Sequence, residues 1–269
     1  MNPRWRIIAC GAGLAVMLCA QSTPSAAKVV QATRTRGPGV GFLLGSGFEL
    51  LSDSEQTEFG LAFLLELAVT PRLALTAEPT FLALRPADGE TRRGFDDLDT
   101  TVSYELVSER RNRPALAVEG GVQWPTATHD EFGSGATDFA LGALVNKEFI
   151  PADVGLDARY IRAGVPTEGQ VRDALQLSLA GAWHVSTVLD LTGELLTTRP
   201  VGTLRGDTPA ADLDPDALNE VSPGGEFEGT LGLTQRIGRQ LQLGQDVTFR
   251  SDGSWQAEIA WEWDFGSGR

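Results

Sequence analysis

The stretch that decides the fold is Trp255-Gln-Ala-Glu-Ile-Ala-Trp-Glu-Trp-Asp-Phe265, near the end of the sequence. Apolar residues occupy every second position, and Glu258, Glu262 and Asp264 lie between them. A period of two predicts a β-strand with one apolar and one polar face. Carboxylates on one face and aromatic residues on the other are typical of a strand that has water on one side and lipid on the other, as in a membrane barrel.

The first 27 residues have the pattern of a secretory signal peptide. Arg4 and Arg6 form a basic start, residues 7–20 are mostly apolar, and Ser25-Ala-Ala27 supplies the small residues that a signal peptidase requires. We therefore expect residues 1–27 to be removed on export.

The expected mature chain divides into a short polar lead, residues 28–39, and one β-barrel domain, residues 40–269. The two cysteines of the full sequence, Cys10 and Cys19, both lie in the predicted signal peptide. The mature protein would therefore have no disulfide and no thiol chemistry. No later segment approaches the ~20 apolar residues of a membrane-spanning helix, so any span would be made by strands.

Alternation of apolar and polar residues extends along the whole mature chain. Spanning strands of outer-membrane barrels need about 9–11 residues each, and most of the alternating segments have this length or slightly more. We predict twelve strands, at residues 40–51, 57–70, 72–84, 96–107, 114–124, 137–148, 153–162, 173–185, 188–198, 226–237, 240–250 and 254–265.

The connections between these segments alternate in length, with long ones mostly at odd positions and short ones mostly at even positions. Outer-membrane barrels have short periplasmic turns and long outer loops, and an even strand number returns both ends to the periplasm. The sequence thus predicts an all-β, antiparallel transmembrane β-barrel in the outer membrane. The longest predicted loop, residues 199–225, would either fold inward as a constriction or lie outside as a solvated flap.

A passive channel for small molecules is the function that this architecture predicts. Two alternatives stay open at the level of the sequence. The first is a closed barrel with a structural or interaction role and no transport, and the second is a secreted soluble β protein, which also has alternating strands and turns.

A segment in the middle of the chain carries a family resemblance. Gly94-Phe-Asp-Asp-Leu-Asp-Thr-Thr-Val-Ser-Tyr104, Val118-Glu-Gly-Gly-Val-Gln-Trp-Pro-Thr126 and Gly133-Ser-Gly-Ala-Thr-Asp-Phe139 resemble the outer-membrane barrels of the phenol-degradation (MetA) pathway type. The chain departs from that pattern at Ala127, where glycine is expected, and at Ser103, where a basic residue is usual. The resemblance covers about residues 94–160 and implies a transporter-like barrel, with aromatic compounds among its solutes.

The polar face of the predicted strands is strongly acidic, and we expect it to line the lumen. Excess carboxylate along a pore favours cations and repels anions. The expected lumen-lining residues are Glu66, Glu78, Asp99, Glu105, Glu119, Asp138, Asp157, Arg159, Asp190, Glu194, Glu228, Arg236, Asp246, Arg250, Glu258 and Glu262.

Residues that could carry other chemistry are few. His129 is placed in a predicted outer loop and His184 at the periplasmic end of a strand, so we expect no shared metal site and no cofactor. Ser178 and His184 share a face but are six residues apart, about 20 Å along a strand, and no third group orients them. We therefore expect no enzyme activity and no catalytic residues.

The overall charge limits the partners. The formal net charge is −14, which becomes −16 when Arg4 and Arg6 leave with the signal peptide. Nucleic acid binding depends on lysine and arginine contacts to phosphates, so we expect no nucleic acid partner. The expected partners are outer-membrane lipid and a small solute.

Overall fold

The structure is a computed structural model of the full chain. It describes residues 41–52, 56–86, 89–129, 132–165, 171–206, 226–238 and 240–265. The predicted signal peptide and the polar lead lie outside these residues, so both stay predictions. No helix among the described residues has the length and hydrophobicity that a membrane-spanning helix requires.

The described residues form fourteen strands in one antiparallel sheet. The strands are β1 (Gly41–Ser52), β2 (Gln56–Thr70), β3 (Leu73–Glu78), β4 (Thr80–Pro86), β5 (Arg92–Phe95), β6 (Leu98–Val107), β7 (Ala115–Trp124), β8 (Asp138–Phe149), β9 (Ala152–Arg162), β10 (Val171–His184), β11 (Leu189–Arg205), β12 (Glu226–Ile237), β13 (Leu241–Arg250) and β14 (Trp255–Asp264).

Fourteen strands make a closed barrel of twelve, because two of the barrel strands are interrupted. Strands β3 and β4 both pair with β2 and are separated by Pro79, which has no N–H to donate to a neighbouring strand. Strand β5 pairs with β4 and strand β6 with β3, with Asp96 and Asp97 between them. The barrel closes where β1 pairs with β14 along Leu43–Ser52. The predicted all-β, twelve-stranded antiparallel barrel is confirmed.

Alternation gives the barrel an apolar outer face and a polar inner face. Aromatic side chains on neighbouring strands contact each other on the outside, with ring centroids 5.6 Å apart for Phe48 and Trp261 and 5.4 Å apart for Phe81 and Phe95. The side chains between them point inward and are largely buried; Leu82, next to Phe81, is 6% exposed. A barrel with this outer face is suited to lipid.

The two ends of the barrel differ in their connections. The end that we call the loop end has the connections at 53–55, 87–91, 125–137, 163–170, 206–225 and 251–254. The opposite end, the turn end, has those at 71–72, 108–114, 150–151, 185–188 and 238–240. The longer connections therefore gather mostly at one end, as the sequence predicts.

Two predicted boundaries are wrong in the same way, since strand structure continues into predicted loops. Residues 92–95 lie in a predicted loop but form β5, and β4 extends to Pro86. Strand β11 continues to Arg205, so the first residues of the predicted 199–225 loop belong to the barrel wall. Residues 207–225 lie outside the described part of the chain, and the predicted role of this loop as a constriction is not tested.

Candidate functional site: the inner face of the barrel

Every residue expected along the lumen is placed on the inner face of the sheet and is buried or half-buried. The cause is geometric, because an inward-pointing side chain in a twelve-stranded barrel is surrounded by the opposite wall. The buried members are Glu78, Glu105, Glu119, Asp138, Asp157, Asp190, Glu194, Glu258 and Glu262. The half-buried members are Glu66, Asp99, Arg159, Glu228, Arg236, Asp246 and Arg250.

Carboxylates lie directly opposite one another on neighbouring strands. Glu258 on β14 pairs in register with Glu49 on β1 and with Asp246 on β13. Glu78 on β3 likewise pairs with Asp99 on β6. Like charges directly opposite in a sheet are destabilising, so the barrel places negative charge here at a cost to its own stability.

Arg159 is the base that lies among the carboxylates of β7 and β9. Its guanidinium donates to Glu119 and lies 3.6 Å from Asp157. Its Nε has no hydrogen-bond partner among the described residues, and neither has Oδ1 of Asp157. The cluster is therefore incompletely satisfied, and both groups have hydrogen-bonding capacity left for water or a solute.

A second polar cluster lies at the turn end and links four neighbouring strands. Nδ1 of His184 is 2.8 Å from Asp190, and its Nε2 is 3.3 Å from Asp153. The second carboxylate oxygen of Asp190 accepts a hydrogen bond from Arg236 at 2.5 Å. Because His184 is held by two carboxylates, the cluster has the character of a structural brace across β9 to β12.

Toward the loop end, a third cluster joins β12, β13 and β14 to β1. Arg250 donates to Glu228 at 3.3 Å and to Gln256 at 2.5 Å. The amide of Gln256 in turn donates to Glu49 at 2.5 Å. This chain of hydrogen bonds crosses the seam at which the barrel closes.

The Ser178 and His184 pair considered in the sequence is not brought together. Ser178 donates its hydroxyl proton to Glu194 on the next strand, while His184 is engaged with Asp153 and Asp190. Among the described residues, no group of three or more His, Cys, Asp or Glu side chains is arranged to hold a metal ion.

The connection between β7 and β8 is described at residues 125–129 and 132–137, which fold back along the barrel wall, and we call these residues the mouth loop. Its first residues continue the pairing of β7 beyond the end of that strand. The N–H of Thr128 donates to the carbonyl of Phe95 at 2.9 Å, and the N–H of Phe95 donates to the Thr128 hydroxyl at 2.8 Å. The hydroxyl of Thr126 accepts from the N–H of Leu98 at 2.9 Å.

Asp97 fastens the mouth loop from inside. One carboxylate oxygen accepts the N–H of Ala127 at 3.0 Å, and the other accepts the N–H of Ser134 at 2.8 Å and its hydroxyl at 3.2 Å. Gly133 is required at this contact, because a Cβ there would lie 2.5 Å from the Asp97 carboxylate. Asp97 itself is 2% exposed.

Phe132 packs onto the inner side of the wall at Gly94. Its side chain is 2% exposed, and a Cβ at Gly94 would lie 2.8 Å from the Phe132 ring. Gly94 faces inward, since its pairing partner Leu82 is buried while the neighbouring Phe95 lies outside against Phe81. The mouth loop thus places an aromatic ring inside the loop end of the barrel.

Sequence reasoning missed the mouth loop as a part of the site. Asp99 and Asp138 are among the expected lumen-lining residues, whereas Asp97 and Gly133 enter the sequence analysis only within the stretches that carry the family resemblance. Asp138 does face inward, where it accepts the N–H of Gly164 at 2.7 Å. Gly94, Asp97 and Gly133 all lie within the stretches that carry the family resemblance. Their position in these stretches is the signal in the sequence that could have identified them as part of the site.

Comparisons with known proteins give structural likeness only. No family model matches the chain, and no curated protein matches its sequence. An outer membrane channel from Pseudomonas putida F1 superimposes with a TM-score of 0.64 at 13% identity, covering 86% of this chain and 98% of that one. The KdgM porin superimposes with a TM-score of 0.55 at 7% identity, covering 84% and 99%.

A third solved structure extends the comparison. The translocator domain of the autotransporter NalP from Neisseria meningitidis superimposes with a TM-score of 0.50 at 11% identity, over 94% of this chain and 96% of that one. At these identities the likeness shows the fold of outer-membrane barrels. Membership of the phenol-degradation (MetA) pathway type is not established by it and stays a prediction.

Proposed function

We propose that this protein is a passive outer-membrane channel that favours small cationic and neutral solutes over anions. The observation that carries the proposal is the composition of the inner face. The proposal is supported by the thirteen carboxylates and three guanidinium groups of the expected lining, which are buried or half-buried in the closed barrel. Negative charge in a narrow polar passage attracts cations and repels anions.

The orientation follows from the connections. Outer-membrane barrels have their long loops outside the cell and their short turns in the periplasm. We therefore assign the loop end to the exterior and the turn end to the periplasm, with the predicted signal peptide directing export. The exposed aromatic and aliphatic side chains between these ends would contact lipid.

The geometry supports small solutes rather than large ones. The inward carboxylates are mostly below 10% exposed, which indicates that side chains fill much of the interior. The mouth loop narrows the passage further by placing Phe132 inside its outer entrance. We include aromatic compounds among the proposed solutes. The family resemblance implies them, and the Phe132 ring at the entrance could contact them.

The test is ion selectivity in planar lipid bilayers. The mature chain is refolded and inserted between two potassium chloride solutions of different concentration, and the reversal potential is measured. We expect a potential of the sign that cation preference produces. A variant with Glu49→Gln, Asp246→Asn and Glu258→Gln, which neutralises the directly opposed carboxylates, should shift the cation-to-anion permeability ratio toward one.

The matched control removes three carboxylates that lie away from the inner face. Glu90 and Asp252 are in loop-end connections and Glu109 is in a turn-end connection, so E90Q, E109Q and D252N together should leave the reversal potential unchanged. An equal shift in both variants would show that overall charge, rather than the lining, sets the selectivity. Bilayers that stay impermeable would support the closed structural barrel instead.

A further inference from the structure

Charge is divided between the two faces of the barrel wall. The inner face is acidic, whereas the charged residues on the outer face are mostly basic. In the part of the chain that the structure describes, Asp173 is the one carboxylate of the strands that points outward. A formal net charge of −14 makes a basic outer patch unexpected.

Two arginines form such a patch on β9 and β11 at the loop end. Arg162 lies directly opposite Phe139, and Arg199 lies directly opposite Leu175. Phe139 is 54% exposed and Leu175 is 38% exposed, and directly opposed residues share a face of the sheet. Both arginines therefore point outward, and we call Arg162 and Arg199 the arginine patch.

Arg172, at the start of β10, is not part of the patch, because its neighbour Asp173 points outward and successive residues of a strand point to opposite faces. Neighbouring strands are about 4.8 Å apart, so the two guanidinium groups, which lie on either side of β10, can reach one ligand. Neither Arg162 nor Arg199 has an ion pair with any described residue.

A third outward arginine in the same region, Arg205, already has partners within the protein. Arg205 pairs with Asp173, which also accepts the hydroxyl of Tyr160, and Arg205 donates to the carbonyl of Ala163 at 2.7 Å. This arrangement neutralises the one outward carboxylate. The charge of the arginine patch is therefore left for a ligand outside the protein.

We propose that the arginine patch binds the phosphate groups of the phosphorylated glycolipid that forms the outer leaflet. The proposal rests on the orientation given above, in which the loop end faces outward. The patch lies at the loop-end border of the apolar belt, beside Phe139, Tyr160 and Leu175. Acyl chains would contact that belt while the phosphates meet the guanidinium groups, which bind phosphate in a bidentate manner.

The experiment measures binding of lipid A to the refolded mature protein in detergent by native mass spectrometry. The test variant carries Arg162→Gln and Arg199→Gln. The control carries Arg72→Gln and Arg111→Gln, an equal change of charge at exposed turn-end positions. A basic residue near an anionic lipid surface contributes about fivefold in affinity, so the test variant should bind about 25-fold more weakly.

A second probe, lipid A from which both phosphates have been removed, separates phosphate binding by the arginines from hydrophobic binding of the acyl chains. We expect it to bind wild type as weakly as intact lipid A binds the test variant. Equal binding of both lipids by wild type would overturn the proposal, and so would a loss in the control as large as in the test variant. The second result would also reverse the assigned orientation.

The outcome is independent of the channel proposal. No member of the arginine patch points inward, so the test variant should keep the wild-type reversal potential in bilayers that lack lipid A. If the protein binds lipid A but does not conduct ions, the proposal for the arginine patch stands and the channel proposal is refuted. Heat-modified migration on gels checks that each variant has folded.

Discussion

Replacement of Asp97 by alanine tests whether the mouth loop restricts the passage. In the folded protein this carboxylate accepts two backbone N–H groups of the loop, from Ala127 and Ser134, at 3.0 and 2.8 Å. Asp97→Ala removes both acceptors and the bond from the Ser134 hydroxyl, but leaves the bonds of Thr128 to Phe95. We expect the far part of the loop to be released while its first residues stay paired.

The size of the effect follows from these bonds. A hydrogen bond to a charged group contributes about 1.5–3 kcal/mol net, so two backbone bonds contribute at least about 3 kcal/mol. Because about 1.4 kcal/mol corresponds to a factor of ten, the ratio of released to fastened loop should rise at least about 100-fold. The Phe132 ring would then leave the wall at Gly94 for much of the time.

Single-channel recording in planar bilayers is the assay. We expect Asp97→Ala to give a higher mean conductance and larger current fluctuations than wild type, and to pass neutral solutes of larger size in a liposome-swelling assay. Asp96→Ala is the matched control. Asp96 is also buried, at 8% exposure, but its carboxylate accepts the N–H of Asp97 and no N–H of the loop.

Two results would refute this reasoning. Wild-type conductance and noise in a folded Asp97→Ala protein would show that the loop does not restrict the passage. Equal changes in the Asp96→Ala and Asp97→Ala proteins would show that a general disturbance of the wall between β5 and β6, and not the release of the loop, is responsible.

Three further predictions concern the wall of the barrel. Asp246→Asn with Glu258→Gln removes a directly opposed pair of like charges and should raise the free energy of unfolding in lipid vesicles by about 0.5–1 kcal/mol, measured by urea titration; a decrease would contradict it. Arg159→Gln leaves two inward carboxylates without their base and should lower the same quantity by about 3 kcal/mol, while cation preference in bilayers rises. Gly94→Ala places a methyl group against the Phe132 ring and should cost about 1–3 kcal/mol, whereas Gly120→Ala, whose Cβ has its nearest neighbour at 4.0 Å, should cost almost nothing.

The strands were predictable because their physical cause is local. Each strand separates lipid from a polar interior, so its sequence alternates, and alternation is visible without knowledge of any neighbour. The same argument assigns the carboxylates of each strand to one face, and their role in lining a lumen stays a prediction. It could not show which carboxylates lie opposite each other, such as Glu258 with Glu49 and Asp246, since register depends on how strands far apart in sequence are staggered.

The mouth loop was not predictable from the same pattern. Asp97 has the alternation of a lumen residue, but it lies where the wall is interrupted between β5 and β6. Its partners Ala127 and Ser134 follow 30 and 37 residues later. A contact between a break in a strand and a distant loop leaves no periodic signal. β11 was predicted too short for a related reason, because Arg199, Pro200 and Gly202 are typical loop residues although the wall continues through them.

The seam between β1 and β14 has a consequence for how the barrel is made. Every other neighbouring pair of barrel strands is consecutive in the chain and can form as a hairpin, but the seam joins residues as far apart as Glu49 and Gln256, 207 positions along the sequence. Until the last strand has been synthesised and exported, the first strand has an unpaired edge that water or a chaperone must cover. The alternating stretch from Trp255 to Phe265 is therefore also the part whose arrival decides when the barrel can close.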